Sequence, residues 1–153
     1  MTFTRAVESV PALKGAYRPG LGALRKRDRQ SARSRDPRSL AGSVDLDEAL
    51  RESEPNAERW DYGIGYREGR DEHAIWVEVH PANSRHVGKV IAKARWLKRW
   101  LDANARELLR MTRPRDGFVW VASRRVGLPR GSPEARQLAE AGVSFPRTEV
   151  ELG

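Results

Sequence analysis

Two short stretches with strand-like patterns, joined by a turn, constrain the fold of this chain more than any other feature of its sequence. Trp60–Arg67 alternates aromatic or aliphatic residues with small or polar ones, and Ala74–His80 is a run of β-favouring residues that Pro81 ends. Between them, residues 68–71 (Glu-Gly-Arg-Asp) have the composition of a turn. The sequence therefore predicts an antiparallel β-hairpin.

The apolar faces of the two strands fix the register of this hairpin, because a slip by one residue would turn one of them to the wrong side of the sheet. The predicted pairs are Trp60 with Val79, Tyr62 with Val77 and Ile64 with Ile75, with a short loop between Arg67 and Glu72. The same register places Asp61 across from Glu78, with His80 beside them, and facing Cβ atoms lie about 5 Å apart. Two carboxylates this close favour a shared proton or a divalent cation.

The face of the hairpin that carries Asp61 and Glu78 holds few bulky side chains. Gly63 and Gly65 lie on it, and glycines in a strand leave room for a ligand or for another segment of backbone. The alternative is that both carboxylates are solvated on an exposed sheet face. Trp76 on the same face and the helix predicted to follow favour partial burial.

The rest of the chain from residue 43 has the pattern of an α/β domain. A helix begins near Ser43 and ends before Pro55. A long helix follows the hairpin over about Arg85 to Arg110, where apolar residues recur at helical spacing. The other predicted elements are a buried strand over Gly117–Ser123, a helix from Ser132 to Gly142 and an edge strand over Val143–Leu152. We therefore predict an α/β fold with a mixed central β-sheet flanked by helices.

The charged residues are divided into blocks along the chain. Residues 1–42 hold ten basic and three acidic residues, residues 43–84 four and eleven, and residues 85–153 fifteen and seven. Within the first block, Arg25–Arg38 holds seven cations in fourteen residues. We predict a basic, flexible N-terminal extension over 1–42, either a phosphate-gripping arm or a solvated surface, ahead of a domain over 43–153. An acidic centre between basic flanks suits a metal site that works on a polyanion.

The amino-acid composition limits the chemistry further. The 153 residues include no cysteine, which excludes a disulfide scaffold, a thiolate zinc site, an iron–sulfur cluster and a cysteine nucleophile. Oxygen ligands are therefore the natural choice for any metal. This composition fits a reducing compartment, and no apolar run approaches the ~20 residues of a membrane-spanning helix. We expect a cytoplasmic protein with no secretory signal and no membrane partner.

The layout around the acidic pair resembles that of the PD-(D/E)XK nucleases, the restriction-endonuclease-like superfamily. The resemblance is carried by Asp61 on the first hairpin strand and by Glu78-Val79-His80 on the second, 17 residues further on, with a helix after them. It covers the chain from Asp45 to about Ser123. It implies a restriction-endonuclease-like core of helix, three strands, helix and strand.

The sequence departs from this family's pattern at two positions. Trp60 precedes Asp61 where the family has proline, and His80 occupies the place of the family's lysine. In this superfamily the lysine also occurs on the following helix, where this chain has Lys89 and Lys93, and Lys93 is the preferred substitute. The family's additional acid on the first helix corresponds to Glu48 or Asp45, although Asp45 is equally well placed to cap that helix.

The resemblance implies a metal-dependent nuclease that acts on phosphodiester bonds, with DNA a better candidate than RNA. It implies Mg²⁺ or Mn²⁺ held by Asp61, Glu78 and the main-chain carbonyl of Val79. The implied catalytic residues are Asp61, Glu78, His80 and Lys93. The basic residues expected to hold the nucleic-acid backbone are Arg25, Lys26, Arg27, Arg29, Lys89 and Lys98.

Other functions stay open at this point. The histidine at position 80 favours a second hypothesis, a non-catalytic module that binds nucleic acid or protein on a degenerate nuclease-like fold. His73, His80 and His86 would be the ligands of a zinc site, but their spacing matches no known pattern. Trp96 and Trp100 are one helical turn apart and predict packing against the sheet or against a second subunit, so a homodimer is a further expectation.

Overall fold

Eight strands and six α-helices make up residues 1–152, which are the part of the chain that the computed structural model describes. The strands are β1 (Tyr17–Arg18), β2 (Ala32–Ser34), β3 (Leu40–Asp45), β4 (Tyr62–Glu68), β5 (Asp71–His80), β6 (Phe118–Ala122), β7 (Ser144–Arg147) and β8 (Val150–Leu152). The helices are α1 (Phe3–Glu8), α2 (Lys26–Arg29), α3 (Leu46–Ala49), α4 (Val87–Asn104), α5 (Arg106–Met111) and α6 (Pro133–Glu140). Short 3₁₀ turns occupy Pro11–Leu13, Pro37–Ser39 and Ser84–His86.

The central sheet is mixed, and its strands lie in the order β1-β3-β4-β5-β6-β7. β3, β4 and β5 form an antiparallel meander, while β6 is parallel to β5 and β7 is parallel to β6. The parallel pairs need crossovers, which α4 and α5 supply between β5 and β6, and α6 between β6 and β7. β2 and β8 pair in parallel as a separate two-stranded sheet. The predicted α/β fold with a mixed central sheet and flanking helices is confirmed.

The predicted register of the hairpin is confirmed over most of its length. Tyr62 pairs with Val77 and Ile64 with Ile75, as the coincidence of apolar faces requires. The turn is tighter than predicted, because Glu68 still pairs with Asp71. Only two residues remain between the strands, and the first is Gly69 in the left-handed region (φ +63°), a conformation that a residue without a Cβ adopts readily.

The predicted pair of Trp60 with Val79 is wrong. β4 begins at Tyr62, so Trp60 precedes the strand and its side chain is completely buried on the opposite face, edge-on to Phe118 at 6.4 Å. The chain turns away here because the amide of Leu46 at the start of α3 donates a hydrogen bond of 2.8 Å to the carbonyl of Asp61. The alternation of apolar and polar residues in the sequence begins at Trp60, whereas the strand itself begins only at Tyr62.

Two apolar layers cover the two faces of the sheet. One layer joins side chains of β4, β5 and β6 to β8 and to Leu24 before α2. The other packs α1, α4 and α5 against the opposite face, where Trp76 and Trp120 are completely buried. Gly63 and Gly65 lie on this second face, but they leave room for protein rather than for a ligand. A Cβ on Gly63 would lie 2.6 Å from the Trp76 ring, and one on Gly65 would lie 2.3 Å from the ring of Phe3.

Residues 1–42 do not form the flexible extension that the sequence predicts. Phe3, Val7 and Leu13 are completely buried in the same core as the rest of the chain, β1 pairs with β3, and β2 pairs with β8. The predicted boundary at residue 42 falls inside β3. The segment lacks periodicity because its few apolar residues enter the core singly from short elements, while the basic side chains between them stay at the surface.

The predicted helices after residue 42 are present with altered ends. Residues 40–45 form β3, so the helix expected from Ser43 begins only at Leu46, and Asp45 caps it by accepting a hydrogen bond from the Glu48 amide at 2.9 Å. The long predicted helix divides into α4 and α5 at Ala105, whose φ of −148° and ψ of 56° are not helical. The stacked pair Trp96 and Trp100 on α4 packs against the protein's own core.

The C-terminal elements follow the predicted order. The predicted buried strand is β6, and α6 begins after Ser132, which accepts a hydrogen bond from the Ala135 amide, and ends before Gly142 at φ +75°. The single edge strand expected over Val143–Leu152 divides into β7, at the edge of the main sheet, and β8. Within residues 1–152, no helix combines the length and the apolar character that crossing a membrane requires.

Candidate functional site

Asp61 and Glu78 meet where β4 begins beside the end of β5. Glu78 is completely buried, and its Oε1 accepts a hydrogen bond of 3.1 Å from the Asp61 amide. In return, Asp61 Oδ2 accepts a hydrogen bond of 2.9 Å from the Val79 amide. Two carboxylates thus take the place of main-chain ladder bonds just before the start of β4. The structure brings together the facing pair that the register predicts.

Lys93 completes this group from the neighbouring helix. The helix α4 packs across the sheet, and from it the Lys93 ammonium donates a hydrogen bond to Glu78 Oε2. The Lys93 side chain is only 12% exposed, and the Glu78 side chain is not exposed at all. One largely covered cation therefore contacts Glu78, and both oxygens of Glu78 are hydrogen-bonded.

Burial dominates the electrostatics of this group. Burial, and after it the charge of Asp61, raise the pKa of Glu78 to about 8 against the opposing effects of Lys93 and of the Asp61 amide. Burial also raises the pKa of Asp61, against the hydrogen bond from the Val79 amide and the charge of Lys93. When both carboxylates are ionised, the group carries one more negative charge than positive, and a proton or a cation relieves this excess.

The donor set fits a hard divalent cation that keeps several other ligands. Mg²⁺ is usually held in proteins by one or two carboxylates together with waters and substrate phosphates. Asp61 and Glu78 supply two carboxylates with surplus negative charge. The Val79 carbonyl points to the same side of β5 as its amide, towards Asp61. Within residues 1–152, no cluster of three or more His, Asp or Glu side chains is placed to hold a metal, so the protein offers part of a coordination shell.

A cavity of about 860 Å³ opens beside Asp61, at the carboxyl ends of β5 and β6. Its lining includes Asp61, Tyr62 and Val79. Four arginines from two segments of the chain also line it: Arg25 and Arg27 at α2, and Arg124 and Arg125 after β6. The acidic pair thus lies at the edge of a basic cleft, which is the arrangement that attracts and holds a polyanion.

One wall of the cavity is fixed by a buried hydrogen bond. The Tyr62 hydroxyl donates to Asp28 Oδ2 at 2.6 Å and accepts a hydrogen bond from the Arg25 amide at 3.3 Å. Burial and the bond to Asp28 raise the pKa of Tyr62, which keeps its proton. Asp28 is 8% exposed and belongs to α2. Sequence reasoning missed this contact, because Asp28 is a single acid in an arginine-rich segment and no spacing relates it to Tyr62.

His80 lies apart from the hydrogen bonds that join the two acids and Lys93. Its Nδ1 is 3.1 Å from the carbonyl of Pro81, and its ring packs against His86 at 4.6 Å and Trp120 at 6.4 Å. Burial lowers the pKa of His80, so its imidazole is neutral at physiological pH. His73 packs near the other end of the hairpin, against Tyr66, and does not join the other two histidines.

The predicted basic residues divide into two that line the cavity, three that are exposed outside it, and Lys98, which lies elsewhere in the protein. Arg25 and Arg27 line the cavity. Lys26, Arg29 and Lys89 are exposed, and Arg29 donates a hydrogen bond to the carbonyl of Leu24. These three contribute positive surface without lining the cavity.

Lys98 lies elsewhere and has a structural contact. Its ammonium donates a hydrogen bond of 2.6 Å to the carbonyl of Ala141 at the end of α6 and lies 4.8 Å from the centre of the Phe118 ring. Phe118 begins β6, whereas the cavity lies where β6 ends. Burial lowers the pKa of Lys98. The position corrects the expectation that Lys98 holds nucleic acid, because its donor is bonded to the protein at the far end of the strand.

Sequence reasoning missed Arg124 and Arg125. They directly follow the buried strand β6, and a polar residue at the carboxyl end of a buried parallel strand is the signal that could have found them. Of the acids considered for the first helix, Asp45 caps α3 and Glu48 is exposed, with its carboxylate 3.2 Å from Arg51.

Comparisons of the chain with family models, curated proteins and solved structures find no significant match. The fold and the site define a class all the same: a mixed α/β protein with a largely buried acidic pair, one lysine beside it and an arginine-lined cleft. Function is therefore inferred from the chemistry of these side chains.

Proposed function

We propose that this protein is a metal-dependent nucleic-acid phosphodiesterase of the PD-(D/E)XK type. One observation carries the proposal: Asp61, Glu78 and Lys93 converge from three neighbouring segments of the chain at the edge of an arginine-lined cavity. Buried acids held together against their own repulsion cost stability, and such arrangements are typical of sites where perturbed groups have a chemical task.

The order of elements supports the same proposal. When the short elements β1, α2, β2, α3 and α5 are set aside, the chain from α1 to β6 has the order helix, three strands, helix and strand. These elements are α1, the antiparallel strands β3, β4 and β5, the helix α4 and the parallel strand β6. This is the core order that the resemblance implies. The first helix of that core is then α1 rather than the short α3. The core therefore includes residues from the segment 1–42, which the sequence predicts to be a flexible extension.

Each member of the site would have a distinct role. Asp61, Glu78 and the Val79 carbonyl would hold Mg²⁺ or Mn²⁺, whose chemistry is to acidify a bound water and to offset charge on the phosphate. Lys93 would turn its ammonium from Glu78 towards the phosphate and stabilise the charge that develops there. We assign this role to Lys93 rather than to His80, because His80 is bonded to Pro81 and its lowered pKa leaves it neutral.

The basic walls of the cavity would hold the substrate. Arginine suits phosphate because its planar guanidinium donates two parallel hydrogen bonds. DNA remains the preferred substrate over RNA, and the cytoplasm the expected compartment. The possibility of a homodimer belongs to the same proposal and is tested by the mass of the protein in solution.

Cleavage assays test the proposal directly. Single-stranded and double-stranded DNA and RNA are incubated with the wild-type protein and Mg²⁺, Mn²⁺ or EDTA, and with Asp61→Ala purified in the same way. We expect cleavage by the wild type with either metal and none with EDTA or with Asp61→Ala. Absence of cleavage under every condition, or equal cleavage by Asp61→Ala, would contradict the proposal.

A second function is favoured by the engagement of Glu78. Both of its oxygens are hydrogen-bonded within the protein, and the two acids form only part of a coordination shell. A non-catalytic module on the same fold would bind nucleic acid through the arginines with a strong dependence on salt and would not cleave it. Salt-dependent binding without cleavage in any metal would support this alternative.

A further inference from the structure

We propose that the cavity beside Asp61 holds one nucleic-acid strand at a time, gripped through its phosphates by Arg25 and Arg27 on one wall and by Arg124 and Arg125 on the other. The inference rests on the proposed function and adds the class of substrate, a single-stranded or strand-separated segment. Both pairs line the same cavity, and Asp61 lines it as well.

The wall with Arg124 and Arg125 is held in place at both ends. The Ser123 amide donates a hydrogen bond of 3.2 Å to the carbonyl of His80, and the Gly127 amide donates one of 2.7 Å to the carbonyl of Ala82. The loop after β6 is therefore fastened to the segment that leaves β5. Two exposed guanidinium groups project from a loop whose backbone is fixed on either side of them.

The opposite wall is fastened to the hairpin itself. The hydrogen bonds from Tyr62 to Asp28 and from the Arg25 amide to Tyr62 attach α2 to the first residue of β4. Arg25 and Arg27 stand on this anchored segment and are exposed. The two walls are thus positioned by the same strands that position Asp61 and Glu78.

The arginines of the cavity have little competition from the protein's own carboxylates. Within residues 1–152, Arg25, Arg124 and Arg125 form no ion pair with a carboxylate. Arg27 is paired loosely, since its Nε lies 3.8 Å from Asp28 Oδ1. Some arginines elsewhere are paired more closely: Arg33 lies 3.1 Å from Glu149, Arg67 3.2 Å from Glu72, and Arg110 2.7 Å from Glu107. The guanidinium groups that line the cavity are thus available to bind a phosphate beside Asp61.

The size of the cavity favours a single strand. Its volume of about 860 Å³ lies in the range of pockets that enclose a small ligand, roughly 300–1,000 Å³. A duplex, whose major groove alone is about 12 Å wide, would contact only the rim of such a cavity. The one aromatic ring in the lining is Tyr62, whose hydroxyl is bonded to Asp28. Recognition would therefore depend on the backbone and tolerate many base sequences.

Equilibrium binding without metal tests this inference separately from cleavage. Fluorescence anisotropy compares a labelled single strand of about 15 nucleotides, as DNA and as RNA, with the same DNA sequence as a blunt duplex. The proteins are the wild type in EDTA, Arg124→Ala with Arg125→Ala, and Arg25→Ala with Arg27→Ala. The control is Arg106→Ala with Arg110→Ala on α5, which removes the same charge near the opposite end of β5.

We expect the wild type to bind a single strand at least about tenfold more tightly than the duplex. Each cavity pair should weaken single-strand binding by about tenfold or more and lower the salt slope by about 0.7 for each phosphate that the variant no longer neutralises, while the control pair changes neither. Arg124→Lys with Arg125→Lys should recover most of the affinity and part of the slope, which a merely structural role of these side chains would not allow.

Two results would overturn the inference: duplex binding as tight as single-strand binding, or equal losses in the cavity and control variants. Because the binding is measured in EDTA, the result can be read even if the protein cleaves nothing. Cleavage that depends on Asp61 together with binding that ignores the cavity arginines would remove this inference and leave the proposed phosphodiesterase intact.

Discussion

The two ends of the β4–β5 hairpin carry similar side chains in opposite circumstances. At the turn, Glu68 and Asp71 are exposed, and only Glu72 behind them is largely covered, with an ion pair to Arg67 and a hydrogen bond from the Phe3 amide. At the open end, Asp61 and Glu78 face each other, and Lys93 of α4 contacts Glu78. The acids at the tip of the turn are solvated, whereas those at the open end are largely withdrawn from water.

This difference distinguishes acids that are solvated from acids whose negative charge is only partly compensated within the protein. Exposed acids such as Glu68 contribute at most about 1 kcal/mol to stability through ion pairs. A buried pair of acids costs stability in proportion to its desolvation, and the structure offsets this cost with one lysine and two amide hydrogen bonds. The remaining negative charge is the property that we connect with a metal.

The largest expected effect comes from neutralising one acid at each end. Glu78→Gln should abolish metal-dependent cleavage, because the site loses one of its two carboxylates. Glu68→Gln should leave cleavage within about twofold of the wild type and cost at most about 1 kcal/mol of stability, because its side chain is 69% exposed. Cleavage rates and unfolding curves of both variants check the comparison, and equal losses of activity would remove it.

The two hydrogen-bonded lysines of α4 give the next contrast. Lys93→Met should lower the rate of cleavage by about 10²–10⁴-fold, since its ammonium is the proposed stabiliser of charge on the phosphate. Lys98→Met should cost about 1–3 kcal/mol through loss of the bond to Ala141 and leave the rate unchanged. Rates measured on folded protein distinguish the two, and a full rate for Lys93→Met would exclude its proposed role.

The raised pKa of Glu78 predicts how stability depends on pH. Because the folded protein holds this proton more tightly than the unfolded chain, the favourable contribution is complete below about pH 4.5 and is lost as pH rises through about 8. In EDTA, the unfolding free energy of the wild type should therefore fall across this window, and Glu78→Gln should flatten the fall. Urea titrations at several pH values measure it, and parallel profiles for the two proteins would refute the assignment.

The smallest effect concerns the glycines beside the acidic pair. Gly63→Ala should destabilise the protein by about 1–3 kcal/mol, because its Cβ would lie 2.6 Å from the Trp76 ring. Gly88→Ala on α4, where no atom lies within 4 Å of the added Cβ, should be neutral or stabilise by up to about 1 kcal/mol. Thermal unfolding measures the stability of both variants. A neutral Gly63→Ala would contradict the close packing of Trp76 against this glycine.

Much of the fold was accessible from the sequence where periodicity was strong. The hairpin, α4, β6 and α6 have patterns long enough to predict, and the coincidence of apolar faces placed Asp61 opposite Glu78. Residues 1–42 were misjudged because Phe3, Val7 and Leu13 enter the core from separate short elements, which leaves no periodic signal.

The site was accessible in part for the same reason. Register places two side chains on one face, and helical spacing offered Lys93, but the choice between Lys93 and His80 needed three-dimensional contacts. Arg124, Arg125 and the Asp28–Tyr62 bond depend on loops and on long-range packing. No local pattern encodes the distance between such segments.

The central claim is that the open end of the hairpin holds a divalent cation, and crystals soaked in Mn²⁺ test it most directly. We expect an anomalous difference peak about 2.1 Å from a carboxylate oxygen of Asp61 and of Glu78, with the peak absent from crystals of Asp61→Asn. Soaked wild-type crystals with no peak between these two carboxylates, or a peak that persists unchanged in Asp61→Asn, would contradict the claim.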